Sequence, residues 1–393
     1  MPDQPNDVNP AAYQLFEGSA FPGLERALRA LRLNRLSERH KIAFAILATW
    51  VPMLILAAVQ GCAIGPTRAE SFLLDPAMYA RYLVALPLLL YSQKKISDRL
   101  RSTLEHFLNA KLVKETEQER FLGNIAATMR LRYSSLMDWM FLALACAHSA
   151  VLFQLFHRQY SATWRLLGPG ELSLAGWWLT AISEVFFSFV MLRFIYRIGL
   201  WWRILFQTSQ LELQLDAAHP DAAGGLGFLG LTLHSFKEAA FALSASFAAG
   251  LANIVLLTGE RVTSYKYGIL AVVVVNIGLF CGPLGFFRGL LLKVRLRGTL
   301  EYWALWQRQR RQFDRKWMRA APECTDLLSV ADFSEATDLS QILERVQLVK
   351  LLPFRHKQLL PLIVAALSPF VLVATLEFPV EEIAKQLLKM AFK

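Results

Sequence analysis

Little in this chain is suited to metal, redox or nucleophilic chemistry. There are four cysteines, Cys62, Cys146, Cys281 and Cys324, and none forms a CxxC pair. That spacing excludes the usual dithiol and zinc patterns, and no disulfide framework is indicated. No Ser-His-Asp, HExxH, EF-hand or Walker pattern occurs, so neither a cofactor nor a metal is expected. A basic-then-apolar leader is also lacking: residues 1–20 are polar and carry Pro2, Pro5 and Pro10. The reading is therefore a disordered tail and a first membrane helix that acts as an uncleaved insertion signal. Charged residues make up only 19% of the chain and are concentrated between apolar blocks.

What is abundant is apolar. Of 393 residues, 55% are hydrophobic, and the mean hydropathy of +0.35 is too high for a soluble protein of this length. The apolar residues fall into blocks of about 20, the length that crosses a bilayer core of about 30 Å. The net charge of +11 fits the basic cytoplasmic flanks of membrane helices and is not read as a nucleic-acid footprint.

Seven spans are expected, over about 42–62, 77–93, 135–156, 173–199, 236–257, 267–288 and 357–378. The fourth can continue as helix to about 215. Charged helices are expected at 94–132 and 289–319, and an amphipathic one at about 338–351. Before the first span, Arg26, Arg29, Arg32 and Arg35 alternate with Leu24, Leu28, Leu31 and Leu36. That pattern predicts a basic helix lying on anionic lipid headgroups. A short amphipathic helix is expected over 380–393. Most Lys and Arg residues lie before span one and after spans two, four and six, which places the N-terminus in the cytoplasm and the C-terminus outside.

A seven-residue stretch occurs twice. Residues 99–105 read Arg-Leu-Arg-Ser-Thr-Leu-Glu, and residues 295–301 read Arg-Leu-Arg-Gly-Thr-Leu-Glu. The same offset carries Pro87-Leu88 onto Pro283-Leu284 and His106-Phe107 onto Tyr302-Trp303. Each copy follows an apolar block. The fold class this implies is all-α: a polytopic membrane protein of two parallel repeats with cytoplasmic helical extensions. The chain then divides into a tail and interfacial helix (1–41), a first repeat with an extra span (42–215), a glycine-rich cytoplasmic loop (216–235) and a second repeat (236–393). Arg101 and Glu105, with their copies Arg297 and Glu301, sit four apart on the charged helices. They are candidates for symmetric contacts between the halves, or a solvated face shared by descent.

Glu184 in span four and His148 in span three fall near mid-membrane depth. A charge there costs at least about 2.5 kcal/mol. One reading is a protonatable pair lining an ion path; the other is a neutral Glu184 hydrogen-bonded to its surroundings, through Ser183 or Ser188. Arg81, near the outer end of span two, is expected to snorkel to the interface.

The loop beginning His219-Pro220-Asp221 and running through Gly224, Gly225, Gly227 and Gly230 is the sharpest local anomaly. It can form a tight structural turn, cradle an anion on backbone N–H groups, or bind a metal or proton through His219 and Asp221. His219, Pro220, Asp221, Gly224, Gly225, Leu226, Leu229 and Gly230 together resemble an HPDxxGGLxxLG loop found in a group of functionally uncharacterised bacterial multi-pass integral membrane proteins. That resemblance implies a bacterial inner-membrane setting and no particular activity.

Three functions compete. The first is a channel or transporter for an ion or small solute, with Glu184 and His148 in the path and the glycine loop at its cytoplasmic mouth. The second is a membrane scaffold or signalling protein whose charged helices bind a protein partner or a second copy. The third, an intramembrane enzyme, lacks a convincing nucleophile.

Overall fold

The computed structural model describes residues 38–132, 134–159, 163–168, 171–318 and 331–378. The expected basic helix over 21–36, the tail before it and the expected helix over 380–393 lie outside these residues. Regular structure among the described residues is helical, apart from one antiparallel hairpin of β1 (Leu166–Gly168) and β2 (Glu171–Leu172).

The helices run α1 (Glu38–Val59), α2 (Leu86–Asn109), α3 (Glu115–Arg132), α4 (Ser135–Gln159), α5 (Glu184–Ser209), α6 (Gly230–Ser235), α7 (Lys237–Thr258), α8 (Lys266–Cys281), α9 (Arg288–Phe313), α10 (Ala331–Gln347) and α11 (His356–Ala374). Several are prolonged by irregular turns, three of them within apolar stretches. Pro76–Tyr79 and a π turn at Ala80–Ala85 lead into α2. Leu174–Trp178 and a π turn at Leu179–Ser183 lead into α5. A 3-10 turn at Gly282–Phe287 joins α8 to α9. Pro87 and Pro283 sit at two of these junctions, where a missing N–H and a bulky ring prevent a regular α-helical ladder.

Six helical stretches are long and apolar enough to cross a membrane: Arg39–Val59, Ser135–Leu155, Leu174–Ser209, Lys237–Thr258, Val262–Phe313 and His356–Ala374. The chain is thus compatible with a multi-pass membrane protein. The seventh expected span, 77–93, is not among the six. It is nevertheless packed inside the bundle, with Tyr82, Ala85, Leu86 and Leu89 fully buried. By contrast α4 exposes Leu136, Trp139, Leu144, Val151 and Leu155. Helices that face lipid need an apolar exterior, whereas a helix wrapped by others can carry polar groups.

The two ends of the bundle are distinct. At one end Trp164 N–H donates to the Ala69 carbonyl at 3.0 Å, and Leu174 N–H donates to Gln60 Oε1 at 2.6 Å. At the other end Gln214 N–H donates to the Leu112 carbonyl at 2.7 Å, and Lys350 N–H donates to the Ala222 carbonyl at 2.8 Å. Phe107 ties this second end together, with ring centroids 5.1 Å from Phe228 of the glycine loop and 5.9 Å from Phe121 of α3.

The charged segment 94–132 is two helices, not one. The chain turns between α2 and α3 with Lys111 in the left-handed region at φ 52°. Neither proline nor glycine marks this turn. Its cause is tertiary: Leu112 and Val113 bury themselves, and Val113 bridges Leu213. Likewise α10 begins at Ala331, several residues before the amphipathic segment expected from 338.

The repeated stretch repeats its local structure and not its packing. In both copies a Thr hydroxyl bonds back one turn, Thr103 to the Arg99 carbonyl at 2.8 Å and Thr299 to the Arg295 carbonyl at 2.7 Å. Leu100 and Leu104 are fully buried, but their counterparts Leu296 and Leu300 are 58% and 65% exposed. In the second copy Gly298 faces inward instead, against Ala217 and Val346. The halves differ more widely: α7 packs along α11, while α1 has no comparable contact with α4 and lies against α2 and the start of the Leu174–Ser209 stretch.

Candidate functional site

Glu184 is buried, and its partner is Arg81. Arg81 Nη1 donates to Glu184 Oε2 at 2.6 Å, and the Tyr82 hydroxyl donates to the same oxygen at 3.2 Å. Both sides of this pair sit on irregular helix. Arg81 and Tyr82 lie within the π turn Ala80–Ala85, and Glu184 follows directly on the π turn Leu179–Ser183. A π turn inserts one residue per turn, which re-aims side chains that a regular helix would send elsewhere. The Arg81 guanidinium carbon stands 5.5 Å above the Phe187 ring, and Tyr82 meets the same ring edge-on. Arg81, expected only as an interfacial residue, therefore turns to an ion pair with a buried carboxylate.

His148 is near but peripheral. Its Nδ1 lies 3.9 Å from Glu184 Oε1 and 2.9 Å from Ser188 Oγ, and half of its side chain is exposed. Ser183 turns away, donating to the Thr49 carbonyl at 2.9 Å.

A cavity of about 290 Å³ opens beside the pair, between the Pro76–Ala85 segment, α4, the start of the Leu174–Ser209 stretch and the last turns of α7. Arg81, Glu184, Arg165, Ser149, Thr180 and Asn253 are its polar lining. Arg165 in turn binds Asp75 Oδ2 at 3.0 Å, the oxygen that also accepts from Trp164 Nε1 at 3.1 Å. Charges thus run from the loop end of the bundle inward, each cation with a carboxylate beside it. Charges near the other end are paired between helices as well: Lys95 with Glu238 at 2.5 Å and Arg193 with Asp138 at 3.1 Å.

The glycine loop folds around its own carboxylate. Asp221 Oδ1 accepts from Ala223 N–H at 2.7 Å and Gly225 N–H at 3.2 Å, and Oδ2 accepts from Gly227 N–H at 2.7 Å. His219 Nδ1 stands 2.9 Å from Oδ1. Burial alone would raise the Asp221 carboxyl, but these three N–H groups and His219 outweigh it and hold the group below the usual carboxylate range. Of the readings open for this loop, the backbone N–H nest is present, but its acceptor is a carboxylate of the loop itself. Gly224 and Gly225 take φ of 64° and 93°, which a side chain would strain. A Cβ on Gly230 would collide with Gln358 and lie 2.8 Å from Phe354 Cβ. Leu226 and Leu229 are fully buried. A second cavity, of about 530 Å³, lies between this loop, the end of α2 and residues 350–358.

Arg101 and Arg297 each bind the glutamate of their own copy, Glu105 at 2.8 Å and Glu301 at 2.7 Å. These pairs lie within one helix each and do not link the halves. The residues that reading the sequence missed are Arg81, Tyr82, Asp75 and Arg165. The one available signal was that Arg81 and Glu184 are both ionisable residues inside apolar blocks.

Comparison with protein-family models, curated proteins and solved structures finds no match.

Proposed function

We propose that this chain is a membrane transport protein, a channel or carrier for a small solute, and that the Arg81–Glu184 pair lies on its path. The observation that carries this reading is a buried ion pair lining a cavity inside a bundle of apolar helices. Placing two charges in such a bundle is costly unless function retains them. Paired π turns at the same spot are a second sign, because such turns concentrate at functional sites. In this reading all seven segments cross a bacterial inner membrane, the glycine loop and the ends of α2 and α9 face the cytoplasm, and anionic lipid surrounds the basic end. Purified protein in liposomes is expected to pass solute or ions, with Glu184→Gln lowering the flux at least tenfold. Absence of flux under every imposed gradient refutes the reading.

One observation favours a scaffold or signalling role instead. Among the described residues, α9 exposes Leu296, Leu300 and Trp303 beside Arg297. A partner that co-purifies with the wild type and is lost on Leu296→Ser/Leu300→Ser would support that role.

A further inference from the structure

We propose that the 290 Å³ cavity takes a small amphipathic carboxylate, whose carboxylate binds Arg81 while Glu184 takes up a proton. This rests on the transport reading and names its substrate class. Three features point to it. The cavity wall carries two guanidinium groups, those of Arg81 and Arg165, each already beside a carboxylate, so the site can take up a further anion only together with a proton. Arg81 spends Nη1 on Glu184, which leaves other N–H groups of the guanidinium for a second acceptor. A carboxylate is the anion that a guanidinium binds most directly, through charge-assisted N–H···O bonds. The remaining wall is apolar, with Leu152, Leu166, Leu179, Ile254 and Leu257, and matches a hydrocarbon or aromatic body better than a bare inorganic anion.

Charge balance adds the proton. A second carboxylate on Arg81 would leave one negative charge uncompensated in a low-dielectric site. If Glu184 is protonated as the ligand arrives, one anion and one proton enter together and the buried net charge is unchanged. Tyr82 then keeps its hydroxyl on the neutral carboxyl group.

The test uses benzoate, with benzamide as its uncharged analogue and chloride as the bare anion, on full-length protein in nanodiscs. Benzoate is expected to raise the thermal midpoint where benzamide and chloride do not. Wild type should take up about one proton per benzoate bound, read with an indicator in weak buffer, and Glu184→Gln should take up none. Arg81→Gln should bind benzoate at least tenfold more weakly. Should Arg81→Gln fail to fold, Glu184→Gln supplies the answer, because benzoate replaces its missing charge and restores its midpoint. Equal shifts with benzoate and benzamide, a shift with chloride alone, or no rescue of Glu184→Gln overturn the proposal. Flux in liposomes without benzoate binding overturns this inference and leaves transport standing; benzoate binding without flux supports this inference and removes transport.

Discussion

The Arg81–Glu184 pair makes a quantitative prediction. Glu184→Gln leaves Arg81 charged inside the bundle with only an amide opposite. Removing one member of a buried pair costs about 3–5 kcal/mol. Arg81 retains 23% of its side-chain exposure, against 7% for Glu184, so water can reach part of the guanidinium and we expect the loss to fall near 2–3 kcal/mol. For a chain of 393 residues that corresponds to a fall in thermal midpoint of about 2–4 °C. Arg81→Gln strands the opposite charge, on the more deeply buried partner, and should cost at least as much. The double variant has no stranded charge, and well-placed neutral groups at such sites are often tolerated. It should recover about 1–3 kcal/mol relative to the sum of the single losses. The midpoints are read by intrinsic fluorescence in detergent or nanodiscs at one fixed protein concentration. Single losses that simply add, or that fall below about 0.5 kcal/mol each, refute the claim that the two charges hold each other inside the bundle.

Three further outcomes follow from the geometry. Asp221→Asn removes charge from a carboxylate that accepts three backbone N–H bonds and should cost about 1–2 kcal/mol at pH 7. Because the Asp221 carboxyl is held low in the fold, its contribution is complete above the unfolded value of about 3.9 and is lost as pH falls through the folded value. The gap between wild type and Asp221→Asn should therefore stay constant from neutral pH to about 5 and close below about 4; a gap that widens on acidification contradicts the sign. Gly230→Ala brings a methyl group against Gln358 and Phe354 and should destabilise by about 1–3 kcal/mol, visible as a lower midpoint, whereas Gly250→Ala, with open space around its Cβ position, should be near neutral. Cysteines introduced at Ser102 and Arg297, after replacement of the four native ones, should both react with a membrane-impermeant maleimide from the same face of the membrane; labelling from opposite faces refutes the common orientation of the two tails.

The residue types and their spacing alone determined the all-helical class of the fold. Long apolar blocks can hide their backbone polar groups from lipid only as helices, so an all-helical architecture with helices long enough to cross a membrane was legible, and so was the charged helix α9 following directly on an apolar block. The oddity of Glu184 and of the His219–Gly230 loop was legible for the same local reason: an ionisable group in an apolar block, and glycines clustered where most chains would use side chains. What only the tertiary structure decided was who meets whom. Arg81 and Glu184 lie 103 residues apart, and no periodicity reports that two π turns will aim them at one cavity. The break at Lys111 has no proline or glycine to announce it, because it is driven by burying Leu112 and Val113 against a segment a hundred residues later. The two copies of the repeated stretch share every local hydrogen bond described above and yet bury opposite faces. Short-range chemistry follows the sequence wherever it goes, whereas burial depends on neighbours that a single segment does not contain.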